Sequence, residues 1–402
     1  MKIKPENIKI DQYTYELPDK RIAKYPLVQR DLSKLLVYNR GTIEHNTFLN
    51  LERYISENDT MVFNNTKVIQ ARLNFYKETG AKIEVFCLEP VNPSDYVLAF
   101  QQNQKVTWKC IVGNVKKWKN DLLKQKFVIN NTEVELSARK ISHKGNTRMI
   151  EFTWNNTSFC FSEIIDHIGK MPIPPYLNRD SENIDKDRYQ TVYSKLKGSV
   201  AAPTAGLHFT NKVFEKLKTK NVNIEEITLH VGAGTFTPVK SETVDNHEMH
   251  TEHFMVNQST LLNLVKAKKI TVVGTTTVRT VESIYWLGVK LINTGILDLK
   301  LNQWEVYELP KNISKQQAFE ALLNYMQKNN LETLHAATQI MIVPGYSFKI
   351  IDVLITNFHQ PKSTLLLLIA AFIGNDWKKV YDYALENDFR FLSYGDSSIL
   401  IP

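Results

Sequence analysis

Hydrophobic and polar positions change period along this chain of 402 residues. Five short segments, 82–88, 106–112, 126–129, 132–136 and 147–153, are rich in β-branched and aromatic residues and partly alternate apolar with polar side chains. Turn formers stand around and between them at Gly80, Gly113, Asn130-Asn131 and Gly145-Asn146. Period-two alternation broken at such short intervals predicts antiparallel strands in a small barrel or sandwich. After residue 154 the pattern becomes strand followed by helix. Ile270-Thr-Val-Val273 reads as a buried strand, Gly274-Thr-Thr-Thr277 as a turn, and 278–287 as a helix with Val278, Val281 and Tyr285 inward. Strand 353–356 and the apolar run 365–372 repeat the arrangement, and segments 31–37 and 59–63 are expected to join the same sheet.

The predicted architecture is an α/β main domain, a mixed sheet with flanking helices, that is discontinuous in sequence. It is formed by 1–65 and 154–402, and a small β-barrel domain is inserted at 66–153. Residues of about 285–335, with strand-like segments 296–300 and 304–307 and a helix over 315–328, read as a further strand-and-helix insertion.

Composition narrows the class. With 43% hydrophobic residues the chain can build one large or two ordinary cores. The longest apolar run, 365–373, is far short of the ~18 residues that span a bilayer, and Met1-Lys-Ile-Lys-Pro-Glu6 is unlike a signal peptide, so a cytoplasmic protein is expected. Cys87, Cys110 and Cys160 are scattered, which suggests neither a disulfide framework nor a thiolate metal site.

The formal charge of +8 is held by one stretch: residues 101–150 carry eleven Lys and Arg against three Asp and Glu. Lys116, Lys117 and Lys119, with Trp108 and Trp118 nearby, make it a candidate polyanion footprint, lysines meeting phosphates and aromatics stacking bases. On charge alone, a solvated lysine-rich surface accounts for the stretch as well.

Candidate chemistry gathers in Gly-, Thr- and His-rich islands where apolar strands run out: Pro203-Thr204-Ala-Gly-Leu-His208, His230-Val-Gly232-Ala-Gly234, His247-Glu-Met-His250-Thr-Glu252-His253, Gly274-Thr275-Thr276-Thr277-Val-Arg279, Asn357-Phe-His359-Gln-Pro-Lys362, and Ser393-Tyr-Gly-Asp396. Small residues allow close backbone approach to a ligand, and strand ends in an α/β sheet are where ligands lie. The island at Thr275, Thr276, Thr277 and Arg279 offers N–H groups, hydroxyls and a cation at a helix start, suited to a carboxylate or phosphate; the alternative is an N-cap with an Arg279–Glu282 surface pair. His208 and His230 are candidate proton-transfer groups, although a lone histidine is more often a satisfied core residue. His247, His250 and His253 lack the i, i+4 spacing of zinc helices, and no metal is expected. Asp396 can act as acid, base or acceptor, or merely close a turn.

These islands, together with Tyr15-Glu-Leu-Pro18, Arg30-Asp31, Asn64-Asn-Thr66, Ala71-Arg-Leu73, Met171-Pro-Ile-Pro-Pro-Tyr176 and Tyr189-Gln-Thr-Val-Tyr193, closely resemble the S-adenosylmethionine:tRNA ribosyltransferase-isomerases of queuosine biosynthesis nearly end to end. Ser199, where the family often has Ala, Gln360, where Leu is usual, and the insertion after Ser283 depart from the pattern. The resemblance implies transfer and isomerisation of the ribosyl group of S-adenosylmethionine (AdoMet) onto 7-aminomethyl-7-deazaguanine in a tRNA anticodon. The product is epoxyqueuosine-tRNA, with adenine and methionine released.

AdoMet is then a consumed substrate, no cofactor is implied, and the partners are AdoMet and tRNA, with a monomer expected. From residue chemistry, His208 and His230 are assigned as base and acid in undetermined order, with Asp396 assisting. Thr204, Gly232, Gly234, Thr275, Thr276, Thr277, Arg279, Asn357, His359 and Lys362 are assigned to substrate, and Lys116, Lys117 and Lys119 to tRNA. Two other classes stay open. An AdoMet-dependent tRNA methyltransferase would show a glycine-rich turn after its first strand, a setting Gly232-Ala-Gly234 lacks, and a non-catalytic tRNA-binding protein would not need the His- and Thr-rich islands.

Overall fold

The structure, a computed structural model, describes residues 7–119, 122–232 and 241–402. The chain opens with a hairpin, β1 (Lys34–Asn39) and β2 (Thr42–Thr47), whose two turn residues Arg40 and Gly41 both have positive φ, the geometry that matches strand twist. It continues into β3 (Thr60–Asn64), buried along its whole length. After β4 (Thr66–Val68) come β5 (Arg72–Tyr76), β6 (Lys82–Asn92), helix α1 (Tyr96–Gln101), β7 (Lys105–Gly113), β8 (Leu123–Ile129), β9 (Thr132–Lys144) and β10 (Thr147–Trp154). Helices α2 (Phe161–Ile168) and α3 (Asp185–Arg188) lead to β11 (Leu196–Ser199), which pairs in parallel with β4.

The remainder alternates: α4 (Asn211–Thr219), β12 (Asn223–Leu229), β13 (Glu252–Asn257), α5 (Gln258–Lys266), β14 (Ile270–Val273), α6 (Thr275–Thr294), β15 (Lys300–Leu301), α7 (Lys315–Lys328), β16 (Thr333–Thr338), β17 (Val353–Asn357), α8 (Thr364–Ile373), α9 (Trp377–Glu386) and β18 (Ser397–Ile401).

Ten of these strands form one mixed sheet in the order β15-β16-β13-β12-β3-β14-β17-β18-β1-β2. The central four, β12, β3, β14 and β17, are parallel to one another, so their C-terminal ends share one edge. Because β18 runs antiparallel to β17 and β1 parallel to β18, the starts of β18 and β1 lie on that same edge. Both faces are covered, which is why these strands read as unbroken apolar runs. Leu36, Val62, Val272 and Leu354 face the layer of α5 to α9, while Leu35, Met61, Val273 and Ile355 face α4 and the 3-10 turn Phe48–Tyr54.

Among the described residues the six strands from β5 to β10 share ladders only with one another, all antiparallel, in the order β5-β6-β7-β10-β9-β8, apart from a single bridge between Arg72 of β5 and Lys170. Outer strands β5 and β8 approach each other without a shared ladder, leaving a nearly closed barrel. Trp108 and Trp118 are 0% and 1% exposed and belong to its core, so the expectation that they stack bases among the lysines is corrected: their rings fill the barrel interior.

Two further expectations change. Thr275 to Thr277 form the first turn of α6, not a separate turn; the direction change falls on Gly274 alone, at φ +91°. Residues Glu305–Tyr307 are a 3-10 turn, and between α6 and α7 only Lys300–Leu301 adds a strand. Helix α7 packs tightly on α6 at Gly288, where a Cβ would lie 2.1 Å from the carbonyl oxygen of Ala318.

Candidate active site

Along the shared strand edge the end of β17 carries Asn357, and the turn from β14 into α6 carries Gly274, Thr275 and Thr276. With Thr204, His359, Ser363, Ser393 and Tyr176 they line a small cavity of about 70 Å3. Gly274 caps α6 without a side chain, so the free N–H groups of a twenty-residue helix open at this point. The Thr276 hydroxyl lines the same cavity, buried, with no hydrogen-bond partner among the described residues. A buried hydroxyl is seldom left unpaired, and an oxygen-rich or anionic ligand would pair it.

His208 sits beside this cavity in the 3-10 turn Thr204–His208. The Asn357 amide nitrogen donates to the carbonyls of Leu392 and Ser393 (2.9 and 3.3 Å), which leaves its oxygen to accept from Nε2–H of His208 at 3.1 Å. Nδ1 of His208 therefore accepts, and the Ser33 hydroxyl donates to it at 2.8 Å. Ser33, His208 and Asn357 thus form a hydroxyl–imidazole–amide chain with a single tautomer. Asp396 does not touch His208; it accepts from the backbone N–H groups of Lys34 and Arg390 (3.0 and 2.8 Å) and acts on His208 only through its field.

His230 directly follows β12, three strand spacings from β17, about 14 Å along the edge at ~4.8 Å per spacing. It opens onto different cavities, of about 600 and 630 Å3, which also have Tyr96, His253 and Lys300 in common. Its ring lies 4.2 Å from that of Tyr96, and Nδ1 is 3.1 Å from the Thr66 hydroxyl. Gly232 and His250 line the second of these cavities. His250 Nε2 is 3.0 Å from Glu252, which is buried, receives the Arg279 guanidinium and accepts a hydrogen bond from the Gly232 backbone.

The structure therefore brings Thr204, Thr275, Thr276, Asn357, His359 and His208 together and places His230 and Gly232 elsewhere on the same edge. Thr277 is turned away, donating to the carbonyl of Val273 at 2.6 Å, and Arg279 pairs with Glu252 and donates from Nε to the carbonyl of Ile340, with its other terminal nitrogen buried and without a partner among the described residues. Its expected alternative partner, Glu282, is also buried and accepts from the Tyr346 hydroxyl and the N–H groups of Lys349 and Ile350. Lys362 pairs at the surface with Asp11 at 2.6 Å. Gly234 lies outside the described residues. Lys116, Lys117 and Lys119 are exposed and carry no ion pair among the described residues, whereas Lys105, Lys109, Lys124, Lys126 and Arg139 are paired with glutamates. Among the described residues no group of three or more His, Cys, Asp or Glu converges as a metal site. Reading the sequence missed Ser33, which carries no local signal beyond an ordinary polar residue; Ser393 and the His250–Glu252 pair lie within islands that it singled out but were assigned no role.

Burial pushes His208 and His230 down to about 4 and His359 to about 3, from an ordinary 6.5. Below pH 6.5 the unfolded chain binds protons that the native state refuses, so the stability is complete above that value and is lost as pH falls towards 4. Each histidine is expected to cost about 2 kcal/mol between about pH 7.5 and 5. Denaturant midpoints at the two pH values check this, and equal midpoints would mean the rings are not buried neutral.

Residues 10–400 match the family described as queuosine biosynthesis protein. The chain is 38% identical to an S-adenosylmethionine:tRNA ribosyltransferase-isomerase from Sulfurihydrogenibium sp. (strain YO3AOP1) and 35% identical to one from Halothermothrix orenii, each time over 98% of this chain and 100% of the relative. A crystal structure of an S-adenosylmethionine tRNA ribosyltransferase from Thermotoga maritima is 28% identical, covers 97% of this chain and 100% of its own, and superposes with a TM-score of 0.46. The chain thus belongs to the queuosine biosynthesis protein family.

Proposed function

We propose that this protein transfers and isomerises the ribosyl group of AdoMet onto 7-aminomethyl-7-deazaguanine in tRNA, giving epoxyqueuosine-tRNA and releasing adenine and methionine. The observation that carries this reading is similarity to enzymes of that name over essentially the whole chain. In it, residues 66–153 act as an inserted unit on a main domain built from both flanks, and the enzyme works in the cytoplasm as a monomer, without a cofactor.

The sulfonium of AdoMet acidifies the neighbouring 5′ carbon, and a neutral imidazole is the form needed to accept that proton near pH 7. His208 is held neutral, and the Ser33 hydroxyl on its Nδ1 can pass a proton between the ring and the narrow cavity that both residues line, which shares Ser393 with the cavity at the α6 start. The start of α6 with Thr275 and Thr276 takes the methionine carboxylate, and Asn357 and His359 contact the nucleoside. His230 acts on the acceptor side, in the larger cavity beside Tyr96. Incubation with AdoMet and precursor tRNA should release adenine and methionine. S-adenosylhomocysteine would instead identify a methyltransferase, and binding without products a non-catalytic tRNA-binding protein.

Two variants probe the acceptor side. A Cβ at Gly198 would lie 2.4 Å from Cε1 of His230 and 2.9 Å from the Tyr96 ring, so Gly198→Ala must displace the ring pair. Turnover is expected to fall by ~10²-fold, the cost of displacing a reacting group by about 1 Å. Unchanged turnover would remove His230 from the chemistry. Replacing Lys116, Lys117 and Lys119 together with Ala should weaken tRNA binding and flatten its salt dependence while sparing AdoMet; an unaltered salt slope would place the tRNA elsewhere.

A further inference from the structure

Three arginines line one cavity with His208, and little negative charge balances them. Arg30, Arg188 and Arg390 line one narrow cavity with His208, Ser33 and Ser393. Arg30 donates to the carbonyl of Gln190 at 2.9 Å, and Arg188 to the carbonyls of Val28 (3.1 Å) and Leu27. Neither forms an ion pair with a carboxylate among the described residues, and Nε of Arg188 is buried without a partner. Only Arg390 reaches a carboxylate, that of Asp396 at 3.2 Å, whose oxygens are shared with two backbone N–H groups.

The other nearby acids are committed. Asp31 accepts from the Thr210 hydroxyl, and Asp185 is held by both terminal nitrogens of Arg179 and by the Tyr394 hydroxyl. Burial, and then the like charge of Arg188, lower the affinity of Arg30 for its proton. Such a cluster is costly without an anion, and the planar forks of arginine match phosphate oxygens in pairs.

The rim around Arg30 is open and carries exposed apolar side chains: Val28, Leu32 and Val192 are 92%, 49% and 49% exposed. A cavity of about 560 Å3 continues outward over Arg30 to Lys212. A small-molecule carboxylate carries one charge and already has a place at the α6 start; a phosphodiester chain with bases fits a basic cluster opening onto an apolar rim.

Resting on the functional reading above, we propose that Arg30, Arg188 and Arg390 bind a backbone phosphate of the RNA substrate at the mouth of the His208 cleft. The tRNA is thereby held close to the chemistry by arginines that the lysine-rich segment does not include.

The test uses the full chain with Arg30→Gln and Arg188→Gln. Precursor tRNA binding is measured across a salt series, AdoMet binding by equilibrium dialysis, and folding by thermal melting. Each variant should lose about ten-fold in tRNA affinity and make the log–log salt slope shallower by ~0.7 to 0.9, while AdoMet binding holds. Arg30→Lys and Arg188→Lys, which keep the charge and guard against misfolding, should restore the slope. Loss of AdoMet binding with an unchanged slope would assign the anion to the methionine carboxylate and overturn the proposal, as would no change in either affinity. Adenine release by the unaltered enzyme is followed in parallel: release alongside unchanged slopes in the variants sinks this site alone, and its absence sinks the functional reading instead.

Discussion

His208→Gln should slow adenine release by about 10³-fold, the middle of the range for loss of a general acid–base group. Glutamine can replace one hydrogen bond of the chain from Ser33 to Asn357 but cannot accept a proton near neutral pH. AdoMet binding should change little, since the ring flanks the cavity and does not close it. His230→Gln should leave proton exchange at the 5′ carbon of AdoMet intact while blocking transfer to tRNA. Exchange from solvent deuterium, measured for both variants, separates the two histidines. If His208→Gln exchanged as fast as the unaltered enzyme, the base would have to be sought elsewhere.

Glu252→Gln should destabilise the fold by about 3 to 5 kcal/mol, the cost of leaving a buried cation unpaired. Burial opposes ionisation of Glu252, but the Arg279 guanidinium and His250 outweigh it and hold the carboxyl down at about 2. Its stabilising contribution is therefore present above the ordinary carboxylate value of 4.5 and is lost only as pH falls towards 2. Removing both charges, Glu252→Leu with Arg279→Met, should recover most of the loss, because apolar replacement of a whole buried pair is close to neutral. Urea denaturation of the single and double variants decides the matter. Equal losses in both would mean that packing, not charge, is what the pair supplies.

The switch from period-two segments to strand–helix alternation is a local property of the chain, and the strands at β6 to β10 and at β14 and β17 fall where that alternation changes. Long motifs such as Pro203–His208 and Asn357–His359 were equally legible, since a family pattern is carried in consecutive residues. Pairing partners were not. Arg279 begins a helix, and a helix-start cation reads as an anion receptor, yet β13 brings Glu252 to it from 27 residues away. The tryptophans of the lysine-rich segment read as base-stacking groups because composition does not say that Trp108 is on the inward face of its strand or that Trp118, after a 3-10 turn, folds back into the same core.

The sequence by itself determined the kind of layers, the position of the small barrel's strands and the family, because periodicity and contiguous motifs survive without any long-range contact. Only the tertiary structure decided that His208 and His230 stand three strands apart on one edge, that Ser33 and Asn357 set the tautomer of His208, and that Arg30, Arg188 and Arg390 face one cavity. Those relations depend on strand order and burial, which place residues more than a hundred positions apart within hydrogen-bonding distance and which no local pattern encodes.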